Sequence, residues 1–427
     1  MPKETPHAPR EDGLTLFVNA QVFDGSGRPL FPGQVLVRGD RIAAVAEGNE
    51  RLSRDDASVV DCAGATLMPG LVEAHAHLSW PSSVGRIFDT FALPPEEHLL
   101  VTAHNARVTL DAGFTSAYSA GALGVRFEIA LRDEIDGGWL PGPRLRASSL
   151  ERLPEGALGL PPDPDAAHPR GPQAMRDYVK GMARERIDSI KFLLSSDEAF
   201  KPGGSQELTY TDEEVAAIGE QARKSGVWLA CHAQAAQAVK LAAKNGFRIL
   251  YHCSHADTEA LDMLEARRDE LFVAPAVGLL WSRTHEAEAF GITRQVAERI
   301  GAVSGLDRMC TLYPEMKKRG IRIIPGGDYG FPYNPIGRNA RDLELFVKLF
   351  GFTPTEALVA ATKTGGELMG RDRIGLLKPG WLADILVVDG DPTRDIRVLQ
   401  DQARLTMIMK GGAFHKRTSI TRESTAS

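Results

Sequence analysis

An α/β protein is the expectation, and three observations carry it. From about residue 67 to 377, short apolar β-like runs alternate with helical stretches. That alternation calls for a parallel sheet, either doubly wound or closed as a (β/α)8 barrel. Before it, residues 14–66 alternate in a β manner, and 383–391 and 405–414 have the same character near the far end. Strands that flank everything else imply a second, smaller sheet assembled from both termini. The expected division is 1–66 and 378–427 as the two parts of a small β-sandwich with its tail, and 67–377 as the central unit.

Taken in order, LTLFVNAQVF (14–23), QVLVRGDRIAAVAE (34–47) and ASVVDCAGATLMP (57–69) read as short strands. Gly39-Asp40 supplies a two-residue hairpin turn. Three strands alone are a poor core, so the C-terminal strands are needed to complete it. In the central unit the β-like runs are 70–78, 189–196, 226–234, 247–255, 271–280 and 321–328. Helical stretches fall at 96–113, 212–226, 235–246 and 340–351, and Gly226, Gly246 and Gly320 read as C-caps. The Pro- and Gly-rich segment 150–173 reads as an active-site loop or lid. Residues 417–427 read as disordered.

Composition excludes several classes. Fifty Lys and Arg against 56 Asp and Glu give a net charge of -6, so a nucleic-acid binder with a broad basic face is not expected. No run reaches the ~18 apolar residues of a membrane span. The first residues are polar and lack the apolar core of a signal peptide. Four cysteines (Cys62, Cys231, Cys253, Cys310) form no CxxC pair and no disulfide framework. A cytoplasmic protein follows.

The residues that could carry chemistry stand at strand ends. His75 and His77 are i and i+2 on one strand, so both imidazoles project from one face, a geometry suited to one cation. An isolated His-x-His is as readily structural. Lys191, however, lies inside an apolar strand where a lone ammonium would be excluded. His232, His252 and Asp328 each end a separate β-like run. The C-terminal ends of parallel strands are where barrel active sites form, and joint placement there argues for a metal site. The loops leaving these strands are aromatic: Trp80, Trp281, Tyr329, Phe331 and Tyr333 would make a flat apolar pocket for an aryl or bulky apolar group, unless they pack between loops. Arg338 and Arg341 are candidate carboxylate partners. His98, His104 and His285 read as ordinary helix or surface histidines.

Segments 68–77, 189–196, 229–233, 249–262, 323–330, 339–370, 378–392 and 407–412 together resemble the amidohydrolase superfamily. Within it the chain is most similar to the branch of imidazolonepropionases, Xaa-Pro and Xaa-Arg dipeptidases, and hydrolases of aryl amides, phenylureas and ochratoxin. The resemblance implies a (β/α)8 barrel with two divalent metal ions, zinc foremost, with cobalt, manganese or iron as alternatives. It implies that His75, His77 and Asp328 hold one metal. Lys191, carboxylated by CO2, would bridge to a second held by His232 and His252. A shared hydroxide would attack an amide or peptide-like C–N bond, with Asp328 shuttling the proton. Strand parity puts positions 252 and 255 on opposite faces, and the family pattern favours His252 as ligand, leaving His255 a catalytic or substrate role. Two departures stand out: Glu73 replaces the family's usual Asp, and Gln234 stands near where a substrate-contacting Tyr is common. The resemblance implies a small-molecule substrate and a homo-oligomer. Carbamate, phenylurea and cyclic-amide hydrolysis are the enzymatic alternatives. A non-catalytic scaffold is the remote one, because such proteins have lost ligands that this chain keeps.

Overall fold

Both ends of the chain pair into one sheet. The computed structural model describes residues 13–153, 156–157, 170–370 and 373–418. The N-terminal strands are β1 (Leu14–Val22), β2 (Phe31–Arg38), β3 (Arg41–Glu47), β4 (Ala57–Asp61) and β5 (Thr66–Pro69). The central unit carries β6 (Leu71–Ala76), β7 (Phe114–Ser119), β8 (Arg144–Arg146), β9 (Arg152–Leu153), β10 (Gly156–Ala157), β11 (Ser189–Leu193), β12 (Trp228–Ala233), β13 (Ile249–His252) and β14 (Phe272–Ala274). The C-terminal strands are β15 (Ile385–Val388), β16 (Leu405–Lys410) and β17 (Ala413–Arg417). The terminal sheet runs β17-β16-β15-β5-β1-β2-β3, with β4 pairing β1.

Period 2 explains why this sheet serves two cores. Ile385, Val387, Met407 and Met409 pack with Phe17, Val35 and Leu67. The alternate residues Leu386, Val388 and Ile408 join the large core of the central unit, and a register shift at Val387/Val388 brings Leu405 to that side as well. The hairpin forms as expected: Arg38 pairs with Arg41 across Gly39-Asp40, and Gly39 takes a φ of 55° that glycine adopts without steric cost.

The central strands are parallel except for the short β9-β10 pair: β6-β7-β8 form one sheet, and β11-β12-β13-β14 lie together in another. Single contacts join their edges. Ser148 bridges Ser189, Val273 bridges Ile323, and the Ala74 N–H donates to the Pro325 carbonyl at 3.3 Å. Helices lie between the strands. That of Asp212–Ser225 starts at a capping box, Thr211 with Glu214, and stops at Gly226 in the left-handed region.

Three expectations need correcting. The run 321–328 is not a full strand: only Ile323 bridges a neighbour, because Pro325 has no N–H to donate. The run 271–280 is strand only through Ala274; Ala276 takes a φ of 59°, and a helix follows at Val277–His285. Trp281 is therefore on a helix. The tail begins later than position 417, since Arg417 ends β17 and the Thr418 N–H donates to Thr406. Most of the segment expected to form a lid (154–155 and 158–169) lies outside the described residues, as do 419–427. Among the described residues, no helix is long and apolar enough to cross a membrane.

Candidate metal centre

His75 and His77 leave β6 on one face, and Asp328 meets them from across the unit. His77 Nε2 lies 3.1 Å from Asp328 Oδ1, and His75 Nε2 lies 3.7 Å from the same oxygen. His77 Nδ1 is 3.0 Å from the Gly121 carbonyl. A carbonyl only accepts, so Nδ1 holds the proton and Nε2 presents a lone pair, the tautomer a metal ligand needs. His75 stacks on Tyr251 with centroids 3.9 Å apart. His77 Nε2 and Asp328 Oδ1 are buried with no hydrogen bond. Candidate ligand atoms of His75, His77 and Asp328 all lie within 4.8 Å of one another. Unpaired buried polar atoms are costly, and a divalent cation among them would satisfy this set. The donors present therefore fit a metal. Burial, with Lys191 and the other histidines adding to it, holds the His75 pKa well below the ordinary histidine range, and burial does the same to His252. Both are neutral at neutral pH, as ligation requires.

A second group adjoins the first. His232 and His252 have ring centroids 4.3 Å apart, and His252 lies 5.5 Å from His75. Lys191 on β11 is buried, its Nζ donating to the Ala120 carbonyl at 2.7 Å and lying 4.3 Å from the Tyr251 ring centroid. Its counter-charge is a residue that sequence reasoning missed. Glu151 Oε1 is 3.4 Å from Lys191 Nζ and 3.4 Å from His77 Nε2. Glu151 opens the Pro- and Gly-rich segment, where no periodicity marks a side chain as inward. The clue was Gly121: a Cβ there would stand 2.2 Å from Glu151 Cγ, so only glycine leaves room for the carboxylate.

Glu73, the departure from the family's Asp, sits behind the candidate ligands. It accepts from the His75 N–H at 2.9 Å and from Asn339 Nδ2 at 2.7 Å. Burial pushes its pKa up to about 8.

The cluster opens on a cavity of about 260 Å3 whose apolar wall includes Trp80, Phe91, Leu193, Phe200, Leu279 and Phe331. Trp80 stacks on His77 at 3.8 Å and 11°. Phe91 and Phe331 meet Trp80 edge-on at 5.3 and 4.7 Å. Trp80 and Phe331 thus stand where the sequence put them, and Tyr333 stacks on Phe331. The structure commits the other substrate candidates elsewhere. Tyr329 is buried and donates to Asp342 at 2.7 Å. Trp281 packs on His285 and Lys348. Gln234 donates to Asp197 and lines a smaller adjoining cleft. Arg338 and Arg341 both pair with Glu286. His255 Nε2 is 3.0 Å from Ser205 Oγ, and the residue is not among those lining the cavity. Of the ordinary histidines, His98 is buried in its helix with Nε2 2.6 Å from the Ser79 carbonyl. A larger groove of about 1060 Å3 opens beside the terminal sheet, but none of the ligand candidates lines it.

The Amidohydrolase family model matches residues 66–414. The chain belongs to the amidohydrolase family. It is a hydrolase of carbon–nitrogen bonds, and the TIM-barrel fold of the family is implied by its structural neighbours. The amidohydrolase is 24% identical to ochratoxinase of Aspergillus niger over 437 residues, covering 96% of this chain and 88% of the relative. It is 25% identical to imidazolonepropionase of Deinococcus deserti over 372 residues, 82% of this chain and 84% of the relative. The crystal structure of a Xaa-Pro dipeptidase with methionine bound in its active site superposes with a TM-score of 0.80 at 24% identity, covering 95% of this chain and all of that one. These relatives fall in the branch that the sequence segments resemble.

Proposed function

We propose that this amidohydrolase cleaves an amide or peptide-like bond of a small molecule with an apolar or aromatic group, using two divalent metals. The carrying observation is that His75, Asp328, Lys191, His232 and His252 line one cavity with an aromatic wall, with His77 3.1 Å from Asp328. His75, His77 and Asp328 would hold one metal, His232 and His252 the other. Lys191 would bridge them as its CO2-derived carbamate. Zinc heads the metals this donor set suits, with cobalt, manganese or iron as alternatives. Bound there, the metals supply Lewis-acid polarisation and water activation at neutral pH. Asp328 takes the proton of the attacking water and delivers it to the departing amine. Trp80 and Phe331 hold the apolar group and exclude water.

A carbamate nitrogen keeps one N–H, so the bond from Lys191 to Ala120 suits either form of the lysine. Glu151 separates them. Beside an ammonium it is a counter-ion; beside an anionic carbamate it needs cations between. The pair therefore favours a second reading, with one metal at His75, His77 and Asp328 and Lys191 structural. We also read the two parallel sheets as one closed (β/α)8 barrel, on the strength of the three edge contacts, with the described parts of 1–66 and 378–427 forming a β-sandwich. A cytoplasmic homo-oligomer belongs to the same reading; its support is the family likeness and four cysteines without disulfides.

Metal content of purified protein, wild type beside Lys191→Ala, tests it. About two metals per chain, falling in the variant, is expected. One metal, unmoved by the substitution, establishes the mononuclear reading. No metal after reconstitution refutes both. A panel of aryl amide, dipeptide, carbamate, phenylurea and cyclic amide then ranks substrates.

A further inference from the structure

We propose that Lys410 is a site of acylation, its side-chain amine taking the acyl group of a small acyl phosphate that enters the groove beside the terminal sheet. None of the candidate metal ligands lines that groove, so the proposal stands apart from the hydrolase reading. Lys410 ends β16 and lines the groove of about 1060 Å3 together with Gly142, whose carbonyl accepts from its Nζ at 2.6 Å. Gly142 belongs to the segment between the helix of Val125–Asp136 and β8. The hydrogen bond fixes the amine at the groove wall. The residue is only half-buried, which leaves the amine open to a small reagent.

Among the described residues no carboxylate comes within ion-pair distance of this amine. Two acids act on it through space, Asp384 and, less strongly, Asp136. Asp384 is taken up by Arg144, through Nε at 2.8 Å and a terminal nitrogen at 3.0 Å, and by the Gly411 N–H at 2.7 Å. His415, on the same groove, is paired with Asp111 at 2.6 Å. Burial, with the Arg144 guanidinium adding to it, pushes the Lys410 pKa down to about 8 from 10.5. At pH 7.5 about a quarter of such amines carry a free lone pair, against about one in a thousand at the ordinary value. The lining also suits the reagent. Arg38, Arg41 and Arg144 join Lys410 against Asp40 and Asp136, an excess of positive charge that draws an anionic phosphate. Leu140 and Pro141 offer apolar contact to the acyl chain.

In the reaction the Nζ lone pair attacks the acyl carbon. The bond from that carbon to the phosphate oxygen breaks, phosphate leaves with the electron pair, and the nitrogen loses one proton to water. The product amide keeps one N–H, so the bond to Gly142 survives, while the charge that burial opposes is gone. The fold keeps its contact and sheds a buried cation.

The test incubates the purified wild-type chain with acetyl phosphate at pH 7.5. Peptide mass spectrometry follows acetyl occupancy at Lys410 and at the exposed Lys180 and Lys318, with melting temperature as the folding control. The larger neutral fraction is offset in part because a less basic amine is a weaker nucleophile, as for thiols. Together these predict that Lys410 reacts on the order of 10- to 20-fold faster than the exposed lysines. Its rate should level off above about pH 9. A rate at Lys410 no greater than at Lys318, or one that climbs to pH 10 without a plateau, overturns the proposal. The neutral donor p-nitrophenyl acetate tests the part played by the groove. A lead over the exposed lysines that is no larger with acetyl phosphate than with this ester overturns the acyl phosphate as donor.

Discussion

Gly326→Ala probes how tightly the ligand strand is clamped. A methyl at Gly326 would stand 2.7 Å from His75 Cβ and 2.9 Å from its backbone nitrogen. An ordinary contact needs roughly 3.4 Å or more, so something must move by about 0.5–0.7 Å. Gly326 is held on both sides: its N–H donates to Asp342 at 3.2 Å, and its carbonyl accepts from Ala276 at 3.0 Å. His75 is held through its N–H on Glu73 and its ring on Tyr251. Neither partner has slack, so the strain divides between them. Overpacking of this kind costs about 1–3 kcal/mol of stability. Metal–ligand distances tolerate only about 0.2 Å, so affinity should fall on the order of 10- to 100-fold. Chelator-buffered metal titration and denaturant unfolding read the two effects. Gly181→Ala is the control, since a Cβ there meets nothing within 4 Å and helical alanine is favoured over glycine by about 1 kcal/mol. Gly326→Ala with wild-type metal affinity and stability would refute the clamp.

Two further outcomes follow from buried charges. Glu151→Gln removes the counter-charge of the buried Lys191 ammonium, so the metal-free, CO2-depleted protein should lose about 1–3 kcal/mol in urea unfolding; an unchanged midpoint would remove Glu151 from the account. Burial lowers the Lys410 pKa to about 8 from lysine's ordinary 10.5, although its Nζ donates to the Gly142 carbonyl at 2.6 Å. The folded state therefore holds this proton less tightly than the unfolded one, the fold is penalised below pH 8, and the penalty fades as pH rises towards 10.5. The gap bounds the penalty at about 3 kcal/mol. Lys410→Met should stabilise the protein near pH 7 by about 1–2 kcal/mol, with the gain shrinking by pH 10; a gain independent of pH would show that Lys410 does not titrate in this window.

The separation between what was legible and what was not has a physical basis. Local geometry has a short period, and residues spaced by it declare their direction. His75 and His77, two apart at the end of β6, share a face, and Phe17, Val35 and Ile385 must alternate with exposed or second-core neighbours. The terminal sheet and the strand-helix alternation could be read on that ground. Partners are another matter. Tyr329 is held by Asp342, and Arg338 and Arg341 by Glu286. Tyr329, Arg338 and Arg341 are thus held by partners within the fold, while Glu151 and Arg283, carrying no periodic signal, entered the cavity. Arg283 was hidden because residues 271–280 read as one apolar strand, whereas the left-handed turn at Ala276 starts a helix and rotates the following side chains. Which charge meets which depends on contacts between distant segments, 40 residues apart for Glu151 with Lys191. Those are decided by packing, because a buried charge takes whatever counter-charge the fold brings within reach.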